Sequence, residues 1–384
     1  MPFMKRLFGE PARNDKGSEF GSRSTYRLIE RLGRGGMGEV WKAERTSAGG
    51  HKQIVAVKFL IESSSGEASL AAEALRMSRL SHDNIVQYLD SGVDEAGRVF
   101  VAMTFVEGLD LDQLRTRCGM DAARAYGGNA AHRVPDQIVG FIAFMTLRAL
   151  EYAHTFDFGS GVIGLVHRDV SPGNILLDEK RGFVKLSDFG VAAALADVAG
   201  SGQITGKVPY MAPEVLVGDP FDGRSDLYAL GLVVYELLTG FNPNMRPAMT
   251  SSVIGAISEV MLSLEKPLRA PHELVVGIDE ELSRFVVKLL ARAPEERYTT
   301  AEEALDALGA YLFNHGFGPT TTSLADYLAL LAAPPGAPPC TRPSLRFLRC
   351  GEGGCGREIR PPWVLTPEAK ADLAKSGNPG RMAS

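Results

Sequence analysis

The run Leu32-Gly33-Arg34-Gly35-Gly36-Met37-Gly38-Glu39-Val40 spaces glycines so that backbone N–H groups can approach polyphosphate oxygens with no Cβ in the way. By itself the string fits an ordinary hairpin as well as a nucleotide loop. A strand is predicted after it rather than a helix, which removes the setting of a dinucleotide fold. A second chemical feature is Val55-Ala56-Val57-Lys58, a lysine inside an otherwise apolar strand. Burying an ammonium is costly unless anions meet it, so Lys58 needs partners. Glu73 on the next predicted helix is one candidate, and the phosphates of a bound nucleotide are the other.

These side chains need elements to hold them. Residues 26–32, 39–44 and 54–60 read as strands, the last two joined across Gly49-Gly50, and 99–105 reads as a buried strand. Residues 67–80 space Leu70, Ala74, Met77 and Leu80 at helical intervals. After Gly108 the pattern turns to long helices. One is opened by Pro135 and carries Ile138, Phe141, Ile142, Met145 and Leu150, and others cover 225–238, 280–291 and 300–311. Short strand-like runs fall at 165–166, 175–177 and 184–186. The expected class is α+β: a small antiparallel β lobe with one helix, then a larger and mainly helical lobe.

Composition narrows the function. Of 384 residues 45% are hydrophobic and 23% charged, the balance of a globular chain with a sizeable core. Lys and Arg number 41 against 46 Asp and Glu, so no basic excess exists to neutralise a duplex, and nucleic acid is not an expected partner. No segment reaches the roughly 20 apolar residues of a membrane span, the best run, 324–333, being interrupted by Asp326. The four cysteines, Cys118, Cys340, Cys350 and Cys355, suit a reducing compartment, and a cytoplasmic location is expected.

Further along come His167-Arg168-Asp169-Val170-Ser171-Pro172-Gly173-Asn174, then Ser187-Asp188-Phe189-Gly190, then Ala212-Pro213-Glu214. With the glycine run and the Val-Ala-Val-Lys strand ahead of them, these resemble, in order, the motifs of the eukaryotic-type (Hanks-type) protein kinases, in particular bacterial serine/threonine kinases. The resemblance covers about 26–312 and implies a bilobal protein-kinase-like fold, ATP and Mg2+ as cofactors, and transfer of the γ-phosphate to a hydroxyl of a protein substrate. It implies that Asp169 orients the substrate hydroxyl and accepts its proton. Asn174 and Asp188 would hold magnesium, and Lys58, steadied by Glu73, would grip the phosphates. The nucleotide would lie against Leu32, Gly33, Gly35, Gly38, Val40 and Ala56, with Leu176 below and Met103 behind. Main-chain groups of Thr104 to Val106 would bond its base. Asp226 resembles the buried aspartate that braces the catalytic loop, and Glu214 with Arg297 an ion pair tying the later helices.

The chain departs from the pattern in two places. Serine/threonine members usually carry Lys two residues after the catalytic Asp, where this chain has Ser171. They carry Thr after the Gly that precedes Tyr-x-Ala-Pro-Glu, where this chain has Lys207. Two unit charges about 4 Å apart interact by about 4 kcal/mol at an effective dielectric near 20, so an uncompensated loss could silence the enzyme. One lysine lost and one gained, in segments that pack together in the family, suggest that Lys207 supplies the missing charge as a catalytic residue. The alternative is a pseudokinase or signalling scaffold, for which these departures are the sequence support. Arg168 could receive a phosphate on the loop between Gly190 and Tyr210, so autophosphorylation is expected at Ser201 or Thr205, with a second copy of the chain as candidate partner.

The expected division is a flexible leader over 1–24, a kinase domain over 25–312 with its lobes meeting near 107 and 108, and an extension over 313–384. Residues 334–384 hold nine Pro and seven Gly, which reads as flexible chain. The pair Cys350 and Cys355, with Cys340 upstream, is too sparse for a tetrahedral metal site and reads as free thiols.

Overall fold

A computed structural model describes residues 17, 19–21, 24–35, 38–60, 78–120, 133–159, 161–189, 207–245, 253–314, 320–332 and 366–369. Glu73, most of the helix expected over 67–80, Ser201, Thr205, Cys340, Cys350 and Cys355 lie outside the described residues. The chain forms two compact units, one of residues 1–80 and 86–105, the other of 81–85 and 106–384.

The first unit is an antiparallel sheet of β1 (Glu19–Phe20), β2 (Ser24–Gly35), β3 (Gly38–Ser47), β4 (Lys52–Leu60), β5 (Tyr88–Val93) and β6 (Val99–Thr104), in the order β1-β2-β3-β4-β6-β5. The β3–β4 turn closes where Gly49-Gly50 predicted it, with the Gly50 N–H donating to the Ser47 carbonyl at 2.8 Å. Because side chains alternate along a strand, one face collects Phe20, Tyr26, Leu28, Trp41, Val55, Val57, Phe59, Phe100 and Ala102 into a buried cluster. Phe20 stands within 5.4 Å, ring centre to ring centre, of Tyr26, Phe59 and Phe100. Such aromatic pairs add roughly 0.5–1.5 kcal/mol each beyond the area they bury. Within the leader expected over 1–24, residues 19–20 form β1, which pairs with β2, and Phe20 belongs to the core.

The second unit begins with residues 81–85, which leave the sheet unit because Asn84 is laced to a distant strand. Its carbonyl accepts from the Leu186 N–H and its side chain donates to the Val184 carbonyl. A small sheet, β7 (Gly108–Asp110), β8 (Ile175–Asp178) and β9 (Val184–Leu186), lies in this unit together with helices. These are α1 (Leu111–Arg117), α2 (Asp136–Thr155), α3 (Pro213–Val217), α4 (Gly223–Thr239), α5 (Val253–Leu264), α6 (Pro271–Leu274), α7 (Glu280–Leu289), α8 (Ala301–Asn314) and α9 (Thr321–Ala332). Helix α4 is buried almost all round, from Ser225 to Thr239, as its apolar composition requires. The strand-like run 165–166 forms no strand, because the Leu165 N–H bonds the Ala153 carbonyl at the end of α2 instead.

The described residues beyond 312 do not stand apart from this unit. Leu324, Tyr327 and Leu328 of α9 are fully buried, and a Cβ at Gly182 (φ +67°) would stand 1.7 Å from the Thr321 carbonyl oxygen. Within the stretch expected to be flexible from 334, Thr366 is docked: its N–H donates to the Leu274 carbonyl and its hydroxyl to the Glu273 carbonyl. Among the described residues no helix is long and apolar enough to cross a membrane.

Candidate active site

In the sheet unit the register decides which predicted residues share a surface. Val40 pairs with Lys58 and Ala56 with Met103. Directly opposed residues, and residues two apart on one strand, point to the same side. Val40, Ala56, Lys58 and Met103 therefore occupy the face opposite the aromatic core. Lys58 is 4% exposed. The glycine hairpin closes as Gly35 opposite Gly38. Gly38 must be glycine, with φ +138° and a hypothetical Cβ only 1.8 Å from the Phe59 carbonyl oxygen. Gly33 differs: a Cβ there would meet nothing within 4 Å, so packing does not require its bareness. Leu32 beside it is exposed. The Thr104 N–H is spent on the Gln87 carbonyl at 2.9 Å and is not free to bond a base, which narrows the expected main-chain contribution.

In the helical unit the catalytic-loop motif is built around Asp226, in the first turn of α4. One of its carboxylate oxygens accepts the Arg168 N–H at 2.8 Å, and the other accepts the His167 N–H and His154 Nε2, each at 2.7 Å. Burial works to raise the pKa of Asp226, but His154, His167 and these hydrogen bonds hold it below the ordinary carboxylate range. The bracing role expected of Asp226 is thus visible as two backbone amides clamped by one side chain. Arg168 and Asp188 are the non-glycine residues with positive φ among those described, at 67° and 61°. Such backbone costs about 1–3 kcal/mol and persists where surroundings over-determine it.

The His167 ring is fully buried and works as a two-ended brace. Nε2 donates to the Ser187 carbonyl at 2.9 Å while Nδ1 accepts the Asp169 N–H at 3.2 Å, which requires the neutral ring. Burial pushes its pKa down. Its unfolded value is near 6.5, so the neutral ring contributes its full stability above that pH and loses it as pH falls toward the lowered folded value. Stability should therefore drop by up to about 1.4 kcal/mol per pH unit for this group. His82, lowered by burial and by Arg148, adds to the same limb. Urea midpoints followed from about pH 8 to about pH 5 in the wild type and in His167→Phe check this, the variant being expected to show the shallower slope.

Asp169 itself is 8% exposed. Asn174 Nδ2 donates to its carbonyl at 2.7 Å and to its Oδ2 at 2.9 Å, so Asn174 Oδ1 is the atom of that side chain that could meet a cation. Lys207 Nζ is ion-paired with the same Oδ2. Pairing of Ile175 with Leu186 and of Leu176 with Lys185 sets Asn174 and Asp188 at corresponding ends of β8 and β9. Leu176 is half-buried on β8. Val106 is half-buried just before β7.

The expected Glu214–Arg297 pair is present as a two-pronged bridge, both bonds 2.8 Å, with Ser225 also donating to Glu214. Sequence reasoning missed a second buried pair. Arg115 Nη2 stands 3.0 Å from Glu236 Oε1, both side chains at most 1% exposed, and the Tyr210 hydroxyl donates to the other oxygen of Glu236. The signal was there: Glu236 sits in the apolar run Leu232-Val233-Val234-Tyr235-Glu236-Leu237-Leu238, the same anomaly that exposed Lys58.

A braced loop aspartate with an amide beside it, on an α+β scaffold with a glycine hairpin and a buried strand lysine, defines the protein kinase class. The chain belongs to the protein kinase family: residues 26–308 match its protein kinase domain. It is 32% identical over 310 residues to the tyrosine-protein kinase MasK of Myxococcus xanthus, covering 79% of this chain and 45% of that protein. It is likewise 32% identical over 323 residues to the serine/threonine-protein kinase PknJ of Mycobacterium tuberculosis, covering 82% and 50%. The chain thus spans about half the length of these curated relatives. The PknI kinase domain of M. tuberculosis aligns with a TM-score of 0.52 and 27% identity, over 77% of this chain and 98% of that one.

Proposed function

We propose that this chain is an ATP-dependent protein kinase that transfers the γ-phosphate to serine or threonine of a protein. The observation that carries the reading is Asp169: a buried carboxylate fixed by Asn174 and by the His167 brace, set to accept a hydroxyl proton. The hydroxyl oxygen attacks the γ-phosphorus, the bond to the β,γ-bridging oxygen breaks, ADP departs and the proton passes to Asp169. Within the sheet unit Lys58 holds the phosphates, steadied by Glu73, and the face carrying Val40, Ala56 and Met103 takes the base; within the helical unit Leu176 and Val106 are the proposed base contacts. Gly33, Gly35 and Gly38 cover the phosphates.

Asn174 Oδ1 and the Asp188 carboxylate are hard oxygen donors and fit Mg2+, which takes few protein ligands and completes its shell with water and phosphate. When bound, the ion would neutralise charge between the phosphates. Ser201 and Thr205 are the proposed autophosphorylation sites. Arg168, exposed and stacked on Phe221 at 5.0 Å, has no ion-pair partner among the described residues and suits a phosphate. The serine/threonine reading is supported by the names of PknJ and of two M. xanthus relatives, pkn3 and Pkn1, and the tyrosine reading by that of MasK. The few cysteines, one of them a buried free thiol at Cys118, support a cytoplasmic site of action.

The test is incubation of purified chain with labelled ATP, magnesium and a generic protein acceptor, followed by phosphoamino-acid analysis and phosphosite mapping. Phosphoserine or phosphothreonine is the expected product. Phosphotyrosine alone would transfer the chain to the tyrosine class, and nucleotide binding with no transfer would favour the scaffold.

A further inference from the structure

The cation paired with Asp169 comes from the direction that the exchange of Ser171 for Lys207 suggested. Position 171, two residues beyond Asp169, is a serine 3% exposed whose hydroxyl finds no hydrogen-bond partner among the described residues. It brings no charge. Arg168, beside Asp169 in sequence, turns its guanidinium to the Phe221 ring. The ammonium that does reach Asp169 is that of Lys207, which arrives from the segment leading into Ala212-Pro213-Glu214.

Lys207 is not a surface side chain that happens to fall nearby, because the three residues after it are pinned. Val208, 2% exposed, packs against Ala256 and Val260 of α5. The Pro209 carbonyl accepts from Asn242 and Asn244 at 3.4 and 3.2 Å. Tyr210 is tied to Glu236. The side chain of Lys207 is 28% exposed against 7% for Asp169, so the pair is anchored on one side and open on the other. An ammonium has three N–H donors, and Asp169 Oδ2 takes one.

We propose that Lys207 is a catalytic residue whose remaining donors meet the transferring phosphoryl group, doing from the Ala-Pro-Glu side the work of a cation at position 171. This rests on the kinase reading above. As the substrate oxygen bonds phosphorus and ADP leaves, Lys207 neither gains nor loses a proton; it offsets charge on the phosphoryl oxygens and keeps Asp169 oriented. A purely structural counter-charge for Asp169 would make a different prediction, since it would affect folding more than turnover.

The experiment uses the full chain with Mg-ATP and measures kcat, KM for ATP, Mg-ADP affinity by calorimetry and the melting temperature. Lys207→Met should lower kcat by about 10²–10³-fold, as loss of one pre-organised donor does, with Mg-ADP affinity kept within about twofold. Lys207→Arg should retain more activity than Lys207→Met. Lys207→Thr combined with Ser171→Lys should recover at least about tenfold over Lys207→Met, since the charge returns by the other route. An active wild type with Lys207→Met within about fivefold of it would overturn the inference alone, and so would a folded double variant that recovers nothing. A wild type that binds nucleotide but never transfers phosphate would overturn the kinase reading and this inference with it. Should Lys207→Met fail to fold, the Lys207→Arg and double variants still decide.

Discussion

Replacing Asp169 with Asn should reduce phosphoryl transfer by about 10²–10⁴-fold, the usual contribution of a positioned general base, while leaving the fold in place. The change is nearly isosteric. Asn keeps an oxygen that can accept from Asn174 Nδ2, and the backbone bonds of residue 169, its N–H to His167 and its carbonyl to Asn174, do not depend on the side chain. What disappears is the negative charge that holds Lys207 and that, on the proposed function, would receive the substrate proton. Initial rates at saturating ATP, beside thermal melts, check the expectation. Activity within tenfold of the wild type would remove Asp169 from the role.

The largest effect on stability is expected at Arg297. Its side chain is fully buried and five bonds leave it: two to Glu214, and one each to the carbonyls of Ala291, Arg224 and Arg292. Arg297→Ala removes all of them and strands a buried carboxylate, which typically costs about 3–5 kcal/mol. Lysine would recover only part, because it cannot reproduce the fork.

The pH dependence should change with it. Burial tends to raise the pKa of Glu214, but Arg297 and Ser225 overcome this and hold it below the ordinary carboxylate value. A lowered carboxylate contributes stability above its unfolded pKa and loses it as pH falls through the folded one. Without Arg297 only Ser225 and a backbone hydrogen bond still oppose burial, so acid unfolding should begin at a higher pH. Urea midpoints of Arg297→Ala across the acid range test both points, and pairing it with Glu214→Leu should restore part of the loss. A variant as stable as the wild type would show that the bridge merely fills space.

Legibility followed the range of the forces involved. Lys58 betrayed itself because a charge in an apolar strand violates a local rule, and the glycine hairpin because its turn needs backbone freedom that only glycine has at Gly38. The edge strand β5 escaped notice: Tyr88–Val93 is half-exposed and lacks the alternation that marks strands facing a core. Helix α9 and Thr366 look like extension and tail in the sequence because their partners, Gly182 and the carbonyls of Glu273 and Leu274, lie far away in the chain. Glu236 carried the same local signal as Lys58, a charge in an apolar run, but its partner Arg115 lies far away in the chain and only the fold pairs them.

The amino-acid sequence alone determined the α+β class, the strands and helices with strong periodicity, and the order of motifs that points to phosphoryl transfer. It also raised the exchange of Ser171 for Lys207 as a question of charge. Tertiary structure decided that Lys207 reaches Asp169, that one aspartate clamps the amides of His167 and Arg168, and that Leu324, Tyr327 and Leu328 past 312 are buried in the helical unit. Hydrophobic spacing and turn chemistry act between neighbours, whereas a salt bridge or a buried hydrogen bond needs two groups brought together from distant positions, and only the folded chain fixes that distance.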